Sequence, residues 1–585
     1  MKCFANLALL LLFFLSGACS DTQCPEEQHE VDGQCLAVTG TPTPKLEVQP
    51  SVKTLTFHWE AIEGIESYQL LFDSEGSEAY TPLGEDLSPE TTDFAHRIAV
   101  YDYPWQSARY KLQACNALGC AESRTISTAE YMLDTIGVLN STNAEPGDYF
   151  GFAVASSADG TTVAISARYE GSSATGIDGD GSNNDSPGSG AVYLFTVDDH
   201  GEWSQQAYIK ASNGKDYDTF GTDLALSADG STLAVGAPSE GSAEPGMNGK
   251  DNPMESGAVY VFTKSSDGSW SEQAYLKASN AEMLDNFGMA VALSADGNTL
   301  AVGATGEDSS ATGIDGDQED NAENDSGAAY LFTRSDDTWA QQVYIKASNT
   351  DKQDNFGSAI ALSSEGNILV VGAPNESGAG AAYVFEMSGG SSWTEQAYLK
   401  ASNTEIESDD NFASAVSLSA DGSLLAVGAP QEDSSAQGID GDQTSNHMES
   451  AGAVYLYKRQ SAAGFSQIAY VKASNTDPRD YFGHSVALSS DGSMLAVGAN
   501  SEASNATGVG GDQSNDDLNN AGAVYVFRAT EDSWEQSAYI KSKNNTLAEY
   551  FGSSLCFDDS GHSLFIGATA ALGDTASSGG SLYIY

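Results

Sequence analysis

An all-β fold, a seven-bladed β-propeller preceded by a small β-sandwich, is predicted for this 585-residue chain by three observations. A Phe-Gly signature recurs at Phe150-Gly151, Phe220-Gly221, Phe287-Gly288, Phe356-Gly357, Phe412-Ala413, Phe482-Gly483 and Phe551-Gly552, at spacings of 70, 67, 69, 56, 70 and 69 residues. Self-similarity of that period marks a repeat architecture. Inner strands such as Ala290-Val291-Ala292-Leu293 and Leu300-Ala301-Val302-Gly303-Ala304 are apolar on both alternating faces, so each sheet must be covered on both sides, as blades stacked around an axis are. The seventh unit ends after its third strand, Leu582-Tyr583-Ile584-Tyr585, while a strand-like Glu130-Tyr131-Met132-Leu133 precedes the first signature. The early strand is expected to complete the last blade, which removes exposed sheet edges.

Composition narrows the function. With 24 basic against 83 acidic residues the formal charge is −59 and the sequence pI about 4.1. Such a surface repels nucleic acid and anionic headgroups. At 18% charged and 40% hydrophobic residues the chain is not a disordered polyanion either.

From the N-terminus, Met1-Lys2, the apolar run Phe4 to Leu15 and the small residues Ser16-Gly17-Ala18 have the order of a signal peptide, residues 1–18, too short to anchor as a span. Leu15-Ser16-Gly17-Ala18-Cys19 resembles a bacterial lipobox, which implies lipidation at Cys19 and an exported protein anchored at the outer membrane or cell surface; Ser16 replaces the usual Leu, which leaves an ordinary cut after Ala18 open. Residues 19–44 read as a tether with a Thr/Pro linker, and the close pairs Cys24/Cys35 and Cys115/Cys120 as two local disulfides. Cys556 fills a slot held mostly by Ala and reads as a small buried thiol.

Residues 45–128 alternate as strands, with Leu55, Phe57 and Trp59 on one face. Trp59, Tyr110 and the Asn116-Ala117-Leu118-Gly119 turn resemble a fibronectin type III domain, one of the Ig-like sandwiches.

The propeller is expected over residues 129–585. Each unit carries an Asp-Gly or similar hairpin turn, a second strand ending in Gly-Ala, a third strand such as Ala328-Ala329-Tyr330-Leu331-Phe332, and in six units a fourth strand led by Trp203, Trp270, Trp339, Trp393, Phe465 or Trp534. Phe-Gly followed by Gly236-Ala237-Pro238, Gly372-Ala373-Pro374 and Gly428-Ala429-Pro430 resembles the FG-GAP repeat of integrin α-subunit propellers and their bacterial relatives. In many such relatives the first-to-second-strand loop carries a calcium motif. Here that loop is only Ser157-Ala158-Asp159-Gly160 and its counterparts, a hairpin turn with too few oxygens to surround an ion.

Acidic residues concentrate instead in the loop after the second strand. Five long versions hold 25 acidic side chains, opposed within the loops only by Arg168 and Lys250. Three share Gly-Ile-Asp-Gly-Asp, giving Asp178/Asp180, Asp315/Asp317 and Asp440/Asp442, and a fourth keeps Asp512. Paired carboxylates with amide oxygens downstream suit Ca²⁺, and these seven are the candidate metal ligands, with a solvated acidic surface as the alternative. Strand order puts these loops on one face with the fourth-to-first connections, and the short loops at Pro374 to Gly380 and Thr569 to Gly579 leave gaps in that rim.

No nucleophile elbow, H-E-x-x-H, Walker or dinucleotide pattern is present, and the seven His lie in unrelated contexts. The expectation is a non-enzymatic adhesion or recognition protein binding a protein or glycan through the acidic face, with Ca²⁺ as cofactor and no contact with nucleic acid. The membrane is reached only through a lipid anchor at Cys19. A surface spacer and a glycan-directed hydrolase or lyase are the alternatives.

Overall fold

The computed structural model describes the backbone of residues 28–31 and 34–37, and residues 41–143, 145–241, 255–390, 392–403, 409–460, 464–569 and 579–585 in full. The expected signal peptide, the lipidation at Cys19 and the Cys24–Cys35 bridge lie outside the described side chains. The chain forms two compact units: Met1–Val48, Phe57–Phe94 and Ser107–Ser127 make one, and Gln49–Thr56, Ala95–Gln106 and Thr128–Tyr585 the other.

In the first unit, Ser67–Asp73 pairs antiparallel with Arg109–Asn116, which also pairs with Gly119–Glu122 and Ile126–Ser127. Alternation buries Tyr68 and Leu70 on one strand and Tyr110, Leu112 and Ala114 on the other. Phe57 packs 4.4 Å from the Tyr110 ring and Trp59 5.6 Å from Tyr68. The expected disulfide joins Cys115 to Cys120, directly opposite residues of a tight hairpin.

Among its described residues the second unit holds seven sheets built on four antiparallel strands, one for each Phe-Gly signature. Repeat three shows the pattern, with Phe287–Leu293, Thr299–Ala304, Ala328–Ser335 and Thr338–Ile345 in spatial order. Second and third strands are buried along both faces, as in Leu300, Ala301 and Val302 or Ala329, Tyr330 and Leu331. Such blade-like sheets, repeated along the chain, are the arrangement of a β-propeller.

The last sheet corrects one expectation. Residues Ala129–Thr135, which contain the strand-like Glu130 to Leu133, form a 3₁₀ helix with Met132 and Thr135 buried three apart. The strand that joins the seventh sheet is Gly137–Leu139, which pairs with Ser581–Ile584 in the register Gly137↔Ile584, Val138↔Tyr583 and Leu139↔Leu582.

Three contacts recur at the junctions between repeats. A Gly at the start of one third strand bridges the Phe of the next signature, as Gly257 does Phe287, and Gly580 of repeat seven bridges Phe150 of repeat one. The glycine of the Gly-Ala motif abuts the next Phe-Gly glycine: a Cβ on Gly236 would lie 2.0 Å from the Gly288 carbonyl oxygen, and one on Gly567 2.1 Å from that of Gly151. Hairpin turns hand a backbone hydrogen bond around the array, Ala158 to Ala228, Ala228 to Ala295, Ala295 to Ser364, Ser364 to Ala420 and Ala420 to Ser490; Ser490 reaches Asp559 through its side chain, and Asp559 N–H returns to Ala158.

The Phe-Gly glycines have φ from 87° to 96°, a left-handed region that a Cβ disfavours. Ala413 occupies the same position at φ 70°. Ala413→Gly is therefore expected to stabilise the protein by about 0.5–1 kcal/mol, after the entropy cost of glycine is subtracted. Gly288→Ala, whose Cβ would meet the Ala258 carbonyl oxygen at 2.5 Å, is expected to lower stability. Thermal unfolding of the two variants with opposite shifts in Tm checks both.

Candidate functional site

The long second-to-third-strand loops lie beside the connections that enter each repeat. Tyr217 N–H donates to the Pro187 carbonyl at 2.8 Å, Arg479 N–H to that of Glu449 at 2.8 Å, and Ala548 N–H to that of Asn519 at 3.0 Å. Loops and connections thus share one face.

Under this face runs a buried polar network that the sequence reading missed. Five of the 25 loop carboxylates, Glu170, Glu240, Glu307, Glu432 and Glu502, are buried and paired at 2.6–2.7 Å with Lys210, Lys277, Lys346, Lys472 and Lys541 at the ends of the fourth strands. Arg168 and Lys250 are therefore not the only cations set against the loop acids. The other Glu oxygen accepts a hydrogen bond from an Asn on the incoming connection, as Asn280 Nδ2 to Glu307 Oε1 at 2.8 Å, and the Asn oxygen accepts from a third-strand tyrosine, as Tyr330 to Asn280 at 2.7 Å. Each network fastens one repeat to the connection that precedes it. A sequence signal existed: Gly-Ala-x-x-Glu is matched in register by Lys-Ala-Ser-Asn. In the seventh repeat both partners change together, to Ala571 and Asn140. That joint loss fits the rule that a lone buried charge is the costly state.

The Gly-Ile-Asp-Gly-Asp segments have a defined structural role. The Ile bridges the outer strand, as Ile177↔Ile209, Ile314↔Ile345 and Ile439↔Val471. The following Asp178, Asp315 and Asp440 take φ of 52–54° and accept the N–H of Tyr208, Tyr344 and Tyr470 at 2.9–3.1 Å. Repeat six has Gly510 at that position, with φ 72°; its N–H donates to the Tyr539 carbonyl at 2.9 Å, as the N–H groups of Asp178, Asp315 and Asp440 do to the carbonyls of Tyr208, Tyr344 and Tyr470. The position selects a residue that tolerates left-handed backbone, which Asp does and Gly does better. The second carboxylates close turns: Asp180, Asp442 and Asp512 each accept the N–H and hydroxyl two residues on, and Asp317 accepts Glu319 N–H. Those hydrogen bonds hold the Asp180, Asp442 and Asp512 carboxyls below their usual range. Among the described residues no three His, Cys, Asp or Glu side chains form a group able to hold a metal ion.

Repeat four departs from its neighbours. Its strands are Ala359–Leu362, Ile368–Ala373, Ala381–Ser388 and Ser392–Leu399, and the loop from Pro374 to Gly380 is one 3₁₀ turn, Glu376–Gly378. No Gly-Ile-Asp segment covers the fourth strand, so Tyr398 is 42% exposed whereas its equivalents Tyr344, Tyr470 and Tyr539 are at 0–2%. Lys400 is also part exposed, paired with buried Glu376. Burial would raise the Glu376 carboxyl, but hydrogen bonds from Lys400, Ser377 and Tyr398 outweigh it and hold the group below its usual range. Through Asn375 and Gly378 the same loop lines a polar cleft of about 370 Å³, with Asp325, Lys352, Gln353, Asn355 and Asp409. Asn375 Nδ2 donates to Asn355 Oδ1 at 2.5 Å across it. This is the expected gap in the rim at repeat four; residues 570–578, in the loop expected to leave the other, lie outside the described residues.

The FG-GAP repeat family matches residues 203–262, 270–332, 339–385, 393–457 and 465–527, each segment running from the leading aromatic of a fourth strand to the last aromatic of the next third strand. The chain belongs to the FG-GAP repeat family. No curated protein matches this FG-GAP chain. Similar solved structures include a periplasmic gluconolactonase of Pseudomonas aeruginosa, 14% identical with a TM-score of 0.41 over 82% of this chain and 98% of that one. A putative 6-phosphogluconolactonase of Bacteroides fragilis is 11% identical with a TM-score of 0.39 over 83% and 97%. Hydrazine synthase of Kuenenia stuttgartiensis is 13% identical with a TM-score of 0.43 over 74% and 96%. At these scores none bears on the activity of the FG-GAP chain.

Two predictions follow the buried charges. Lys346→Met strands Glu307 and is expected to cost about 3–5 kcal/mol, while the double variant with Glu307→Gln recovers much of that loss; Tm across the double-mutant cycle reads the coupling. The connection residues Asp285 and Asp480 are buried, and burial, reinforced by nearby carboxylates, pushes their carboxyls up to about 8. An unfolded Asp titrates near about 3.9, so the folded state holds these protons where the unfolded chain does not. Their stabilisation is complete below about pH 4 and lost as pH rises through about 8. Tm is expected to fall between pH 5 and pH 8, and the fall to shrink in the Asp285→Asn/Asp480→Asn variant.

Proposed function

We propose that this FG-GAP protein is an exported, non-enzymatic recognition protein: a seven-bladed propeller, closed by Gly137–Leu139 and preceded by a fibronectin type III-like sandwich, that binds a protein or glycan through its loop face at the repeat-four gap. The observation that carries this reading is the exposure of Tyr398 beside Lys400 and Glu376, where the same residues are buried in neighbouring repeats. An open aromatic bonded to Glu376, in the loop whose Asn375 and Gly378 line a polar cleft, supplies a flat apolar face and hydrogen-bonding groups, the elements that peptide and sugar recognition use. The net charge of −59 adds steering toward cationic partners and away from polyanions.

The test is a binding screen of the full chain against surface glycans and basic proteins, scored for both retention and turnover. Tyr398→Ala is expected to weaken the retained ligand about tenfold or more with Tm nearly unchanged, because the ring is half in solvent. Turnover of a glycan would sink the non-enzymatic reading. Calcium enters through the same assay. If the paired aspartates act as backbone caps, chelator leaves Tm and binding unchanged; a Tm that rises on adding Ca²⁺ would return those loops to the cation role their composition suggests.

A further inference from the structure

A second opening lies on the side of the propeller, at the junction of repeats four and five, and the repeats themselves show what has been removed from it. At the junction of repeats two and three, Trp339 donates its indole N–H to Gln273 Oε1 at 2.9 Å. Arg334 lies over the Trp339 ring, 5.5 Å from its centroid, and its Nη1 donates to Gln273 Oε1 at 3.3 Å and to Thr232 Oγ1 at 3.2 Å. Gln273 is the extra residue of a β-bulge on its fourth strand, which turns its amide toward the next repeat.

Repeats four and five carry the same register, with Gln396 at the bulge and Arg459 opposite Phe465. Two changes dismantle the arrangement. Phe465 has no ring N–H, and Ile368, standing in the place of Thr232, offers Arg459 no acceptor. Arg459 pairs instead with Glu386 at 2.5 Å. Gln396 is left exposed, and the hydrogen bond it keeps is from its own Nε2 to Thr394 Oγ1 at 2.7 Å. The result is a groove of about 430 Å³ whose lining includes buried Ile368 and Val384, together with Phe465, Gln396 and the Arg459–Glu386 pair.

We propose that this groove binds a tryptophan side chain presented by a partner peptide or protein. The indole would lie on Ile368, Val384 and Phe465, donate its N–H to Gln396 Oε1 and sit under the Arg459 guanidinium, the last two being the contacts Trp339 makes internally with Gln273 and Arg334 two junctions earlier. The site is on a different surface from the repeat-four gap and does not depend on it.

The experiment is calorimetric titration of N-acetyl-tryptophanamide into the full chain, with N-acetyl-alaninamide and a panel of monosaccharides as comparators. Saturable one-to-one binding of the tryptophan amide alone is expected. Phe465→Trp should abolish it by supplying the ring internally, and Ile368→Thr should weaken it by recalling Arg459 to the older geometry. Gln396→Ala should weaken it about fivefold, the scale of one hydrogen bond. Tm of each variant, expected unchanged or raised for Phe465→Trp, separates loss of binding from loss of fold. No saturation by the tryptophan amide, binding that survives both Phe465→Trp and Ile368→Thr, or occupancy by a monosaccharide instead would overturn the proposal.

Discussion

Everything in the repeat unit depends on the pairing of Gly137–Leu139 with Ser581–Ile584, which builds one sheet from both ends of the array. Residues at this seam, Asn140 and Ser581, are 441 positions apart and joined by a side-chain hydrogen bond of 2.7 Å. Closing so long a loop costs only about 1.6 kcal/mol more than closing a single repeat of 70 residues, because the entropy grows with the logarithm of length. Against that small term stand a paired sheet edge and three contacts of the kinds that recur at other junctions, Gly580 with Phe150, Gly567 with Gly151 and Asp559 with Ala158.

The junctions combine two kinds of interaction with different tolerances. Near the inner strands the fit is steric: glycine meets backbone oxygen at distances that exclude any side chain, and where Ala413 replaces the Phe-Gly glycine at φ 70° its carbonyl oxygen still faces Gly372, whose Cβ would lie 2.1 Å from it. Toward the loop face the fit is electrostatic, through buried Glu, Lys, Asn and Tyr that leave few polar groups unmatched. The steric part sets the spacing of the blades, and the polar part orients the loops. Repeat four keeps the first and opens the second, which is why a shortened loop produces an accessible Tyr398 without disturbing the sheet beneath it.

Much of this was legible in the sequence, for reasons that differ by residue. The Phe-Gly and Gly-Ala signatures were readable because the same steric demand recurs at each junction, so one period repeats seven times. The closing strand is expected six to seven residues early because Glu130 to Leu133 is too short for alternation to be told from the i, i+3 burial of Met132 and Thr135. The Glu–Lys pairs escaped because their members are 24 to 40 residues apart, and a loop read as a contiguous run of acids hides a partner on a distant strand. Asp178, Asp315 and Asp440 show the limit of composition: their type suggested an ion, while Gly510 at the equivalent position shows that backbone conformation governs the choice.

The return of the hydrogen-bond circuit from Asp559 to Ala158 has a kinetic consequence. Open repeat arrays fray from their termini, where the last unit has one neighbour fewer. Here the first and last repeats are joined, so local unfolding of a repeat must break two junctions at once, and resistance to proteolysis is set by a global opening rate rather than by the weakest repeat. For the same reason a single cut in one surface loop would leave all seven junctions in place and act as a change of chain termini, not as the loss of a part.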